Sequence, residues 1–206
     1  MAAGTADDTV GDAVHRMTWL LAGLSAAAVA GCSGGATGAS TAASSGQSFV
    51  TGSYSTTVFR PGSRLAAPPV TGTTLAGRHL RLRSYRGDLV VLNFWGSWCG
   101  PCRQEAPALA ALDRRLQSDR VRFIGVDSHD QQAAALAFER TFEVGYPSLS
   151  DPGGVVALQF YGTVPPASIP FTLVIDRSGR IAGRVIGIAS YSGLKKLISD
   201  VQPRTS

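Results

Sequence analysis

Leu89-Val90-Val91-Leu92-Asn93-Phe94-Trp95 is an apolar run interrupted by a single amide, and the turn Gly96-Ser97-Trp98-Cys99-Gly100-Pro101-Cys102 follows it at once. A run of this length, rich in β-branched and aromatic residues, reads as a central strand buried on both faces, and such strands belong to sheets covered by helices on each side. Pro101 suits the first turn of a helix, and Ala106, Leu109, Ala110, Leu112 and Leu116 then recur near the helical period. Residues 121–126 form a second apolar run, so strand, helix and strand make a crossover unit of the parallel type. Before this unit, Leu80-Arg81-Leu82-Arg83 alternates as a half-buried strand does. After it, residues 131–142 read as a helix, Asp151-Pro152-Gly153-Gly154 as a turn and residues 155–160 as a short helix. Residues 171–175 and 180–186 flank the hairpin turn Asp176-Arg177-Ser178-Gly179, and residues 192–201 close the chain as a helix. The expected fold class is α/β, with a mixed central sheet and helices on both faces.

Two thiols two residues apart, placed where a strand gives way to a helix, suit reversible thiol–disulfide exchange. The chain holds three cysteines, Cys32, Cys99 and Cys102. Cys32 ends Val29-Ala30-Gly31-Cys32 after the apolar stretch 19–30, the pattern of a bacterial lipoprotein signal with its lipobox. Residues 1–31 are therefore read as a signal peptide and Cys32 as the lipidated N-terminus left by cleavage. The apolar stretch is shorter than the ~20 residues that a bilayer-spanning helix needs. Asp7, Asp8 and Asp12 precede Arg16, whereas such signals open with positive charge. A translation start near Val14 is the hypothesis this suggests, and N-terminal sequencing of the unprocessed precursor tests it. With Cys32 lipidated, Cys99 and Cys102 are the remaining thiols, which excludes a structural disulfide framework. Structural zinc needs four N or S ligands, and His15, His79 and His129 are scattered without ligand spacing. No metal or other cofactor is expected, and His129, in a polar loop, is read as solvated.

Residues 32–57 are mostly Gly, Ala, Ser and Thr, too poor in large apolar groups to offset the entropy of ordering, and read as a flexible tether. Residues 58–206 are the usual size of one domain. Past Cys32 there are 18 Lys+Arg against 11 Asp+Glu, a net charge of +7. Arg78, Arg81, Arg83 and Arg86 cluster without the interleaved aromatics that stack bases, so a solvated face near anionic lipid is expected and a nucleic-acid partner is not.

The chemistry follows from thiolate formation. A free cysteine with pKa about 8.5 is mostly protonated at neutral pH, yet only the thiolate attacks a disulfide. Cys99 at the amino end of a helix faces unpaired N–H groups and the positive end of the helix dipole, which lowers its pKa and makes it the expected nucleophile. Cys102, one turn deeper, then attacks Cys99 and releases the reduced partner. Glu105 lies one further turn along; by spacing alone it fits a proton acceptor for Cys102 and a surface carboxylate paired with arginine equally well.

Residues 91–107, from Val91-Leu92-Asn93-Phe94-Trp95 through Trp98-Cys99-Gly100-Pro101-Cys102-Arg103-Gln104-Glu105-Ala106-Pro107, resemble the active-site segment of TlpA-like and ResA-like thiol–disulfide oxidoreductases of the thioredoxin superfamily. Ile169-Pro170-Phe171-Thr172-Leu173-Val174-Ile175-Asp176 resembles that family's cis-proline strand, and residues 131–160 resemble its helical insertion. The resemblance implies a thioredoxin fold with a helical insertion and an N-terminal β extension. It implies catalytic Cys99, Cys102 and Glu105, with the carboxylate as base for the buried thiol. Trp98, Gly100, Pro101, Ile169 and a cis Pro170 would border the substrate groove. Asn93 stands where cytoplasmic thioredoxins carry a proton-handling aspartate, which leaves that role to Glu105. Ile169 and Phe171 depart from the residues common around the family's proline and bear on substrate preference.

The implied function is a monomeric, lipid-anchored thiol–disulfide oxidoreductase on the outer face of the cell membrane. It would reduce protein disulfides, including apocytochrome c, with electrons from a membrane thiol-relay reductant. Gly100-Pro101 matches the dipeptide of reducing thioredoxins, whose potential is about −270 mV against roughly −120 mV for strong oxidants. An exported thiol oxidase and a non-catalytic lipoprotein binding module are the alternatives, together with a peroxiredoxin-like peroxidase. The last requires a Pro-x-x-x-Thr/Ser-x-x-Cys stretch that Trp95-Gly96-Ser97-Trp98 does not supply.

Overall fold

A computed structural model describes residues 55–165 and 168–202. The expected signal peptide, Cys32 and nearly all of the expected tether lie outside the described residues. The tether's last three residues do not: Ser55–Val58 form a strand, β1, so the sheet begins three residues before the expected boundary at Val58.

Among the described residues, eight strands and four α-helices follow one another. The short strands β2 (Thr71–Thr73) and β3 (His79–Arg81) pair with each other, ahead of β4 (Leu89–Trp95), α1 (Gly100–Leu116) and β5 (Val121–Ser128). Next come α2 (Gln132–Thr141), β6 (Ser148–Asp151) and α3 (Val155–Leu158), then β7 (Phe171–Ile175), β8 (Ile181–Ile186) and α4 (Tyr191–Val201). The main sheet has the order β1-β8-β7-β4-β5-β6, with β4, β5 and β6 parallel and β7, β8 and β1 antiparallel to their neighbours. The alternation at residues 80–83 survives in burial, since Leu80 and Leu82 are buried, but the strand ends at Arg81 and Leu82–Tyr85 turns as a 3-10 helix.

β4 is central because every one of its residues is buried, and its two-residue period divides the core. Val90, Leu92 and Phe94 face one side, where they meet Val156 and Phe160 from α3 and the turn after it; Phe94 stacks on Phe171 with ring centroids 4.0 Å apart. Leu89 and Val91 face the other side, against Leu109, Leu112 and Leu116 of α1 and Leu194, Leu197 and Ile198 of α4. Asn93 and Trp95 share that second face by the same alternation, which places them under the start of α1. Trp95 stacks on Phe138 of α2 at 4.2 Å and packs with both Cys99 and Cys102. The apolar stripe of α1 thus carries the thiol turn onto the carboxyl end of the parallel strands. The mixed sheet with helices on both faces expected from the sequence is the one observed.

Candidate active site at the carboxyl end of β4

Cys99 is the N-cap of α1. Its backbone is extended (φ −84°, ψ 110°), and its Sγ accepts the Cys102 N–H at 3.1 Å, satisfying one of the donors that the first helical turn leaves unpaired. The turn leading into it is fastened to the end of β5. Asp130 Oδ2 accepts the Ser97 N–H at 2.6 Å, and Trp98 Nε1 donates to the Ser128 carbonyl at 3.3 Å. The two cysteines form a disulfide and both are buried, while Trp98 beside them is 58% exposed. A sulfur held on a helix N-terminal N–H sits where the helix dipole favours negative charge, so the geometry stabilises a Cys99 thiolate once the disulfide opens.

Glu105 falls on the buried stripe of α1 together with Cys102, Ala106 and Leu109, and among the described residues its side chain has no arginine partner. Its Oε1 accepts the Asn93 Nδ2–H at 2.7 Å and its Oε2 accepts the Ala189 N–H at 2.7 Å. Asn93 Nδ2 also donates to Thr172 Oγ1 at 3.1 Å, so a buried chain of hydrogen bonds ties β7, β4, α1 and the segment before α4 together. Burial pushes the Glu105 carboxyl up to about 7 against the pull of those two donors. A carboxyl titrating near neutrality on the helix that bears the thiols can take up and return a proton at working pH. The surface ion pair that spacing alone also allowed is not what forms.

A second acidic group escaped the sequence reading. Asp127, at the end of β5 beside Trp95 in the sheet register, is buried, and its Oδ1 has no hydrogen-bond partner among the described residues. Burial first, and then the neighbouring Asp130, Glu139 and Asp151, push its carboxyl up to about 8. The available signal was an aspartate continuing the apolar run 121–126 with Asp130 three residues on.

The Ile169–Pro170 bond is cis, as expected, and the Ile169 side chain packs against the cluster that contains Cys99 and Cys102. Gly100 and Pro101 are exposed at the start of α1. The structure therefore brings Trp98, Cys99, Gly100, Pro101, Cys102, Glu105, Ile169 and Pro170 to one end of the sheet. Trp98 and Ile169 also line a groove of about 290 Å3 whose opposite wall comes from α3 and the turn after it. A larger cavity, about 540 Å3, lies elsewhere: Val90 and Ile175 line it, at the end of β4 opposite the thiols, and neither cysteine lines it. No cluster of three metal-ligating side chains occurs among the described residues, and none of their helices is long and apolar enough to cross a membrane.

Comparison with known proteins agrees with this geometry. Residues 64–184 match the model of the AhpC/TSA family. The chain is 31% identical over 137 residues to the thiol-disulfide oxidoreductase ResA of Geobacillus thermodenitrificans, covering 66% of this chain and 76% of the relative. A secreted thiol-disulfide isomerase from Corynebacterium glutamicum superposes with a TM-score of 0.67 at 26% identity, over 71% of this chain and 90% of that one. A DsbF homologue from Corynebacterium diphtheriae gives 0.64 at 28% identity, over 70% and 92%. A helix-capping disulfide, a thioredoxin-like sheet and these likenesses lead to one assignment: the chain belongs to the AhpC/TSA family and, within it, to the ResA-like thiol–disulfide oxidoreductases.

Proposed function

We propose that this oxidoreductase reduces disulfides of exported proteins, apocytochrome c among them, from a lipid anchor at Cys32 on the outer face of the cell membrane. The observation that carries the chemistry is the pairing of a helix-capping Cys99 sulfur with a buried Glu105 on the same helix. In the reduced protein the Cys99 thiolate attacks a substrate disulfide, forming a mixed disulfide and expelling one substrate thiolate. Glu105 takes the proton of Cys102. The Cys102 thiolate attacks Cys99 Sγ, closing the Cys99–Cys102 disulfide and expelling the second substrate thiolate. Two electrons leave the protein dithiol and the substrate gains two thiols. A membrane thiol-relay reductant restores the dithiol by the reverse exchange.

Trp98, Gly100, Pro101, Ile169 and Pro170 form the substrate-facing rim, and the protein acts as a monomer. Residues 1–31 are removed as a signal peptide and residues 32–54 span the distance from the lipid. The export of the Corynebacterium glutamicum likeness supports the location. In a Cys32→Ser variant the protein should leave the membrane fraction for the soluble exported one, and retention in the membrane would refute the anchor. Reduction of an oxidised Cys-x-x-Cys-His peptide by the dithiol form tests the cytochrome substrate, and a rate no better than that of free dithiothreitol would count against it.

A further inference from the structure

The four arginines that cluster in the sequence do not share one face. Arg78 sits in the turn between β2 and β3, whose Leu75 packs with Trp95 at the thiol end of the sheet. Arg83 and Arg86 instead line the cavity of about 540 Å3 at the other end, together with Tyr85, Leu82, Pro68 and Pro69. Both are exposed, and among the described residues neither forms an ion pair. Arg86 is laid against Gly179, where a Cβ would come within 3.3 Å of its Nε. The one acid in the lining, Asp176, is already taken. Its Oδ2 accepts Arg64 Nη1 at 2.9 Å, and its Oδ1 accepts the Ser178 and Arg180 N–H groups, both at 3.0 Å. Beside it, Arg177 and Arg180 donate to the carbonyls of Gly87 and Arg64, which leaves their charge uncompensated. Asp88 is shared between Arg120 and Arg122. This end of the sheet is therefore a cationic pole built around a cavity.

We infer that this cavity binds the phosphodiester of an anionic phospholipid head group. Unpaired guanidiniums recognise phosphate oxygens, and the volume falls in the range of pockets that hold small ligands. The lining favours a lipid over free phosphate. Pro68, Pro69, Leu82 and Val90 give it an apolar wall, and Leu65, two residues before Ala67, is 63% exposed. Tyr85 is half-buried there, with the amphipathic ring that suits the head-group level of a bilayer. The inference is independent of the anchor at Cys32 but bears on what that anchor does. β1 begins at Ser55 opposite Ile186, which pairs in turn with Phe171 beside Pro170, so the chain from Cys32 joins the domain at its thiol end. Residues 33–54 can extend to about 75 Å, so the tether alone sets no orientation. β4, seven residues and so about 20 Å long, separates the cavity from the thiols. A head group held in the cavity turns the Cys99–Cys102 pair away from the lipid surface and leaves it open to substrates.

The test titrates the full-length protein with dihexanoylphosphatidylglycerol, dihexanoylphosphatidylcholine and inorganic phosphate, both lipids below their micelle concentrations, and follows backbone amide shifts by NMR. The anionic lipid should bind at least about tenfold more tightly than the choline lipid, whose cation the arginines repel, and more tightly than phosphate. Its shifts should fall in residues 82–90 and 175–180 and leave residues 97–103 unmoved. Arg83→Ala combined with Arg86→Ala should weaken anionic-lipid binding about thirtyfold, the factor expected for two basic contacts to an anionic head group. Arg140→Ala combined with Lys195→Ala removes the same charge from exposed positions on α2 and α4 and should leave binding unchanged. Equal affinity for the two lipids would overturn the inference, and that wild-type comparison decides even if a variant misfolds. Equal losses in the two double variants would also overturn it, by showing attraction to net charge without a site. Phosphate binding as tight as the anionic lipid would overturn the lipid assignment and make the cavity a site for free anions.

Discussion

Replacing Glu105 by Gln gives a direct measure of what its burial costs. The side chain keeps its size, and Gln Oε1 can still accept the Ala189 N–H. Its Nε2 then faces the Asn93 amide, which can turn its carbonyl inward and accept a hydrogen bond from Thr172 Oγ1 on its other side. The charge is what disappears. Glu105 titrates at about 7 in the folded protein against 4.5 for an ordinary glutamate. Its folded-state pKa is raised, so between those two values the unfolded chain binds fewer protons than the native one, and stability falls as pH rises. At ~1.4 kcal/mol per pH unit the wild type should lose about 3 kcal/mol through this group between pH 4 and pH 8. The glutamine variant has nothing to titrate there. Urea unfolding of the oxidised proteins at pH 4 and pH 8, followed by tryptophan fluorescence, gives the variant-minus-wild-type difference at each pH. Taking the change between the two removes any pH-independent cost of the substitution. The variant should gain about 3 kcal/mol on the wild type between pH 4 and pH 8. A gain below ~1 kcal/mol, or a change of the opposite sign, would show that the Asn93 and Ala189 donors outweigh desolvation and that Glu105 is an ordinary ionised carboxylate.

Other outcomes follow from the same geometry. Cys102→Ser should accumulate a mixed disulfide between Cys99 and substrate protein on non-reducing gels, whereas Cys99→Ser should trap nothing. With Glu105→Gln the rate of disulfide reduction should lose the inflection near pH 7, and an unchanged pH profile would remove the carboxylate from proton transfer. Asp127 titrates at about 8 in the fold, so its burial costs stability progressively from about pH 4 to pH 8; Asp127→Asn should flatten the pH dependence of the unfolding midpoint in that window. Phe94→Ala removes the ring stacked on Phe171 and set edge-on to Phe160, and should cost about 3–5 kcal/mol in denaturant unfolding.

The parts of the fold legible in the sequence are those whose apolar pattern is complete. β4 and α1 were readable because Leu89 to Trp95 is continuous and because Leu109, Leu112 and Leu116 repeat with the helix. β6 was missed for the opposite reason: Ser148, Leu149 and Asp151 are all buried, yet only Leu149 is apolar, so burial there leaves no hydrophobic trace. β1 escaped because its Thr-rich edge strand has the composition of the segment before it, and its order comes from pairing with β8. Glu105 was partly legible, since it lies on the stripe with Cys102 and Leu109, but a charged residue on such a stripe does not say whether it turns inward. Asn93 decided that from across the sheet. Asp127 showed only as an aspartate continuing the run 121–126, since its burial depends on which strand end meets Trp95, and the α3 wall of the groove beside Trp98 left no signal because it depends on which residues gather around one cavity.

Whether the reduced pair is poised to give electrons is decided by the equilibrium potential of the Cys99–Cys102 couple. Equilibration with glutathione or dithiothreitol buffers, read by thiol alkylation, should place the couple near the ~−270 mV of reducing thioredoxins. A potential near the ~−120 mV of strong oxidants would contradict the reductase reading and make the same site a source of disulfides.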